Sequence, residues 1–122
     1  MEWTIDYLSK ENLLFIKTRG IMTRDSANTY VKEVFETANR HQCDRQLVDH
    51  RETAFSFSSH DYYERPGINQ QLGLSHKWRI AMVFKQMDEN TKFMETVFRN
   101  RGYNFRQFDN IDEARTWVLG ND

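Results

Sequence analysis

Apolar positions change period several times along the chain. "WTIDYL" (3–8) alternates, with Trp3, Ile5 and Tyr7 on one face, the two-residue period of a strand. "SKEN" (9–12) has turn composition and "LLFIKTRG" (13–20) is a second strand, so the opening predicts a β-hairpin. Thr23 then suits a helix cap. Behind it, Ala27, Tyr30, Val31, Val34, Phe35 and Ala38 form one helical stripe. "RQLVDH" (45–50) has the apolar centre of a buried parallel strand. Residues 58–74 predict a second helix that Pro66 breaks or restarts, since proline lacks the N–H and crowds the preceding turn.

"RIAMVF" (79–84) is the clearest buried strand. "NTKFMETVFRNRG" (90–102) predicts a helix with Phe93, Met94, Val97 and Phe98 inward, ended by Gly102. "YNFRQF" (103–108) is the last strand, and "NIDEARTWVLG" (110–120) the last helix, with Asn110 and Glu113 spaced as a capping box. The whole predicts an α/β domain over 1–122: a hairpin, then repeated β-α units, giving a largely parallel five-stranded sheet with four helices. Right-handed crossovers place helices on the sheet faces. Functional groups gather at the carboxyl ends of such strands, where Asp49, His50, Arg51, Lys85 and Asp109 are expected to project.

Composition narrows the function classes. Nine Phe, five Tyr and three Trp supply a core. A formal charge of −1 with mixed signs offers no field for nucleic acid or an anionic membrane. The single Cys43 fits a reducing compartment, is expected as a buried thiol, and excludes an intramolecular disulfide. No segment approaches the roughly 20 apolar residues of a membrane span, and "MEWTIDYLSKEN" does not read as a signal peptide. A cytoplasmic location is the expectation.

Several stretches carry a family resemblance: "GIMTRDSANTYVKEVF" after the hairpin, "LVDHRE" as a strand with an acid at its end, "RIAMVF", and "FMETVFRNRGYNFRQFDNIDEARTWV". Together they resemble the SpoIIAA-like fold, which houses STAS domains and the related CRAL-TRIO lipid-binding type. The last stretch resembles bacterial STAS-like proteins of unassigned function. The resemblance spans nearly the whole chain. It implies a non-enzymatic binding or regulatory module, with a protein partner at the rim after strand 45–50. In STAS domains of the anti-sigma-factor-antagonist kind, a serine in a pattern close to Asp-Ser-Ser-Gly is the phosphorylated switch. Here Phe57, Ser58, Ser59 and His60 stand there, so the serine pair is kept and its flanks differ. Ser58 is the phospho-switch candidate, because a helix start stabilises phosphate. A plain helix cap is the simpler role for it.

The remaining chemistry is sparse. Asp49 and His50 are adjacent on a strand and point to opposite faces, so they do not form a proton-transfer pair. His41 and Cys43 lack a second pair at zinc spacing, and no metal or cofactor is expected. "RGYNFRQF" (101–108) imitates an RNA-binding octamer, but Asn104 and Arg106 depart from it and a helix follows where that fold needs a strand. Neither a phosphate loop nor a nucleophile elbow is present. What is left is an aromatic and hydroxyl-rich stretch. Asp49, His50, Arg51, Phe55, Phe57, Ser59, His60, Tyr62 and Lys85 are the candidate contact residues. A protein partner is the first reading. A carrier of a lipid or other apolar small molecule is the second, and requires a cavity of about 300 Å³ or more. An enzyme using Asp49, His50 or His60 is the third. The hairpin edge would also suit an isologous homodimer.

Overall fold

Three of the four helices begin with the same local device. Thr23, Ser58 and Asp88 each accept the N–H of the residue three positions on, and the side chains of Ser26, Asp61 and Thr91 reach back to the cap N–H. Two of the orphan donors at each helix start are thereby satisfied. In the computed structural model, which describes residues 1–120, the elements run β1 (Glu2–Leu8), β2 (Leu13–Met22), α1 (Arg24–Arg40), β3 (Arg45–Phe55), α2 (Ser59–Gln71), β4 (Arg79–Val83), α3 (Glu89–Asn100), β5 (Asn104–Phe108) and α4 (Ile111–Leu119).

The five strands lie side by side in chain order. β1 pairs antiparallel with β2, and every later pair is parallel. One face carries the larger core. There Leu14, Ile16, Val48, Ile80 and Phe105 meet Val31, Val34 and Phe35 of α1 and Met94 and Phe98 of α3. The other face carries a smaller core of Leu13, Leu47, Ala81 and Val83 under Ala114 and Val118 of α4. Central strands buried on both faces read as unbroken apolar runs. β1 is covered on one face only and therefore alternates. The expected α1 stripe is buried at all six positions. At about 1.5–3 kcal/mol for each large side chain, it anchors α1 to the sheet.

Five details depart from the sequence pattern. β2 runs on to Met22 and β3 to Phe55. α2 passes unbroken through Pro66. The proline ring is fully buried, and its packing offsets much of the ~3 kcal/mol that an interior proline costs. Phe93 is not inward: it is 49% exposed and stacks on Tyr63 of α2, centroids 6.0 Å apart. Val97 is only half-buried. Asn110 does cap α4, accepting from the Glu113 N–H at 3.0 Å. Gly102 follows α3 at φ +87°, a left-handed turn that favours glycine. Within the octamer-like stretch, Tyr103 and Phe105 are buried core residues, so they offer no stacking platform. Cys43 is buried against backbone carbonyls of Asn12 and Arg45, and burial pushes its thiol pKa up.

Candidate recognition rim

β3 has two halves. From Arg45 to Asp49 it lies between β2 and β4, its last partner on the β4 side being Val83. From Glu52 to Phe55 it pairs only with β2, opposite Arg19 to Met22. Between the halves the register shifts: Lys17 faces Asp49, but Arg19 faces Glu52. One extra β3 residue is accommodated there as a bulge, which inverts the alternation beyond it. Thr53 and Phe55 are thereby kept on the same face as Val48 and His50, while Arg51 and Glu52 both stay outside. The sequence pattern predicts this strand over 45–50, and the structure extends it to Phe55.

His50 is the most embedded of the candidates. It is 2% exposed. Its Nδ1 lies 2.6 Å from Thr18 Oγ1, and Thr18 Oγ1 lies 2.5 Å from Thr53 Oγ1. On its other side Tyr30 Oη is 3.4 Å from Nε2. Phe55 and Phe84 pack against the ring, with centroids 5.3 and 5.5 Å away. Burial disfavours the imidazolium, and despite the attraction of Asp49 the pKa falls to about 4. The ring is therefore neutral near pH 7 and serves as a hydrogen-bonded core group. Tyr30 is buried as well, and its phenol is pushed up to about 12.

Asp49 points to the α4 face, away from His50. It is 2% exposed. Arg51 chelates it, with Nε and Nη2 each 2.9 Å from a carboxylate oxygen, and the Arg51 backbone N–H adds a bond of 3.0 Å. Burial raises the carboxyl pKa, but the Arg51 hydrogen bonds and charge outweigh it, so the net shift is downward. The backbone donor to Asp49 is Arg51, two residues on. Asp49 is buried and does not project at the rim, whereas its partner Arg51 is exposed and covers it from the solvent side.

An open pocket of about 270 Å³ lies on the His50 side, where β4 has ended. His50, Thr53 and Phe55 of β3 line it with Tyr62 of α2, and Phe84, Lys85, Gln86, Asp88 and Thr91 complete it. Of the expected residues, the structure thus brings together His50, Phe55, Tyr62 and Lys85. Phe57 is not on its wall; it packs beneath, 5.6 Å from Phe55 and 5.2 Å from Tyr62. Ser58, Ser59 and His60 lie exposed on the first turn of α2. Ser58 Oγ accepts the Asp61 N–H at 3.1 Å, and Asp61 accepts the Ser58 N–H at 2.9 Å. Those bonds hold the Asp61 carboxyl below its ordinary pKa. His60 pairs with Glu64 at 2.8 Å. The groups named for catalysis thus point three ways: His50 inward, Asp49 to the opposite face, His60 to solvent.

Sequence reasoning missed Thr18, Thr53 and Tyr30 around His50, and Phe84, Gln86, Asp88 and Thr91 around the pocket. Asp88 and Thr91 carried a usable signal, since an acid three residues before a threonine marks a helix start. The apolar spaces beneath residues 55–75 measure about 20 Å³ each, enough for one water apiece and too small for an acyl chain. Among the described residues no three metal-ligating side chains cluster. No described helix is long and apolar enough to cross a membrane.

No family model matches the sequence, and no curated protein matches it significantly. Solved structures that share its architecture include two of the SpoIIAA-like fold. An uncharacterized protein of the DUF3478 family with a SpoIIAA-like fold, from Shewanella loihica PV-4, is 17% identical and aligns over 96% of this chain and 92% of its own, with a TM-score of 0.62. The anti-sigma factor antagonist SpoIIAA, in its unphosphorylated form, is 13% identical and aligns over 98% of this chain and 100% of its own, with a TM-score of 0.55. At those identities the likeness is one of fold.

Proposed function

From the SpoIIAA-like fold of this chain, we propose that it is a non-enzymatic regulatory module that recognises a protein partner through the carboxyl-end rim. The observation that carries this is the open pocket where aromatic walls (Phe55, Tyr62, Phe84) meet an exposed lysine, Lys85. A recess lined by both aromatic and polar side chains suits recognition. One solved structure of the same fold is an anti-sigma factor antagonist, which supports a regulatory reading. The rival with catalytic residues loses ground because His50, Asp49 and His60 do not converge.

The test is affinity purification from the source organism with the wild-type chain and two surface variants. Lys85→Glu alters the rim, and Thr4→Lys alters the exposed outer face of β1. The reading expects one specific partner with wild type and Thr4→Lys, lost with Lys85→Glu. Equal recovery with all three would count against this surface.

A second reading concerns regulation. The Ser58 hydroxyl is exposed at a helix start, where a phosphate would gain favourable N–H contacts. The same phosphate would crowd Asp61, whose carboxylate already accepts the Ser58 N–H. Phosphorylation at Ser58 would therefore loosen the first turn of α2, next to Tyr62 on the pocket wall. Phosphopeptide mass spectrometry of the native protein across growth conditions tests it; an unmodified Ser58 throughout would retire the switch.

A further inference from the structure

β4 and β3 part company inside the sheet. The last β3–β4 pair is Asp49 with Val83. The next β4-side residue, Phe84, donates its N–H to Phe108 at 2.9 Å and so continues alongside β5. β3 meanwhile extends to Phe55 with a strand on one side only, β2. The Ser56 N–H donates to Met22 at 2.8 Å, which fixes which way that backbone faces. Strand residues alternate in the side to which they offer both backbone groups. Phe55 and Thr53 therefore present N–H and C=O to the side that β4 vacated. Lying on that side is the open pocket, bounded by Tyr62 of α2 and by Asp88 and Thr91 at the start of α3. A central strand that becomes an edge halfway along is a template for pairing.

We propose that the edge of β3 from Arg51 to Phe55 takes up an extended peptide segment of a partner protein as an added strand, with an acidic side chain of that segment against Lys85. The proposal rests on the rim reading above and specifies its mode. Backbone hydrogen bonds supply pairing in such complexes, and pockets for alternate side chains supply selectivity. The charge argument follows from the neighbours. Arg51 is committed to Asp49 and Glu52 to Lys17, the latter at 3.2 Å. Asp88 is committed to the start of α3, accepting from the Thr91 N–H at 2.9 Å. Lys85 is exposed and has no ion-pair partner among the described residues. Of the two charges lining the pocket, that of Asp88 faces the N–H groups at the α3 start, which partly offset it, and Lys85 is left to meet a carboxylate. The next inward-facing peptide residue meets Phe55, Tyr62 and Phe84, so an apolar side chain fits there.

The experiment pans a random dodecapeptide display library against the immobilised full chain, then measures synthetic versions of the selected peptides by fluorescence anisotropy and amide exchange. The expected peptides carry an acidic residue flanked by β-branched or aromatic residues, and they protect the Thr53 and Phe55 amides. N-methylation of an inward-facing peptide amide should weaken binding by about tenfold, the loss of one hydrogen bond with added steric conflict. Lys85→Glu, at an exposed position and checked for an unchanged melting temperature, should weaken acidic peptides by about fivefold. Selected peptides that ignore N-methylation, protect other amides or lack an acid would overturn the proposal. So would a concentration-dependent dimer that protects this edge with a second copy in place of a peptide. Loss of the cellular partner with Lys85→Glu, combined with no selected peptide, would remove the added strand while leaving the rim itself as the contact surface.

Discussion

Acidification gives the sharpest view of how the rim is supported, because His50 titrates against its own burial. In the unfolded chain a histidine has a pKa near 6.5; in the fold burial lowers that of His50 to about 4. The sign follows from proton counts. Between those two values the unfolded state binds the extra proton and the folded state does not, so stability falls as pH falls through this window and levels off below about 4. From pH 7 to 4.5 the loss attributable to His50 is about 2 kcal/mol. The carboxyls held low in the fold, Asp49 and Asp61 among them, contribute on the other side of the window. Their share is present above about pH 4 and is lost as pH falls further. The assay is urea denaturation at intervals from pH 7.5 to 4.5, for wild type and for His50→Gln. The difference between the two stability curves should shrink by about 2 kcal/mol across the range, and the His50 ring should titrate near 4 by NMR. Parallel curves, or a His50 titration near 6.5, would refute a buried neutral imidazole bonded to Thr18.

Other perturbations read the same supports. Arg51→Met leaves the buried Asp49 carboxylate with only the residue-51 backbone N–H, so a loss of about 1–2 kcal/mol is expected by denaturation, the solvent-exposed guanidinium being partly screened, and Asp49→Asn in that background should restore part of it. Thr18→Val and Thr53→Val break the hydroxyl chain at His50; a double-mutant cycle should show coupling of about 0.5 kcal/mol or more, against additivity if the hydroxyls act alone. Ser58→Ala should destabilise by about 1 kcal/mol, whereas Ser58→Asp, which also caps well, should be near neutral; that makes aspartate a poor mimic of phosphate here. Phe93→Ser removes the ring that stacks on Tyr63, so a loss of about 0.5–1.5 kcal/mol is expected by denaturation.

Much of this architecture was legible because helices and buried strands impress different periods on the chain. The α1 stripe and the apolar runs at 45–50 and 79–84 each marked a correct element. The misses share a cause: tertiary contacts that override local pattern. Phe93 fits the helical stripe of α3, yet Tyr63 on α2 supplies its partner at the surface. Pro66 signals a break, yet its burial holds the helix together. The β3 bulge turns Arg51 and Glu52 to one side, which erases the alternation that would have shown the strand continuing to Phe55. The candidate site was half legible for a related reason. His50, Phe55, Tyr62 and Lys85 sit at the rim that the strand order dictates. The rest of its wall comes from the β4–α3 connection, whose approach to β3 leaves no local mark.

Site-specific photo-crosslinking in the source organism tests the rim most directly. A photoreactive residue would replace Lys85 or Gln86 at the pocket, or Thr4 on the outer face of β1. The account predicts one shared protein adduct from both rim positions and none from Thr4. Adducts from Thr4 alone, or none from the rim, would contradict it.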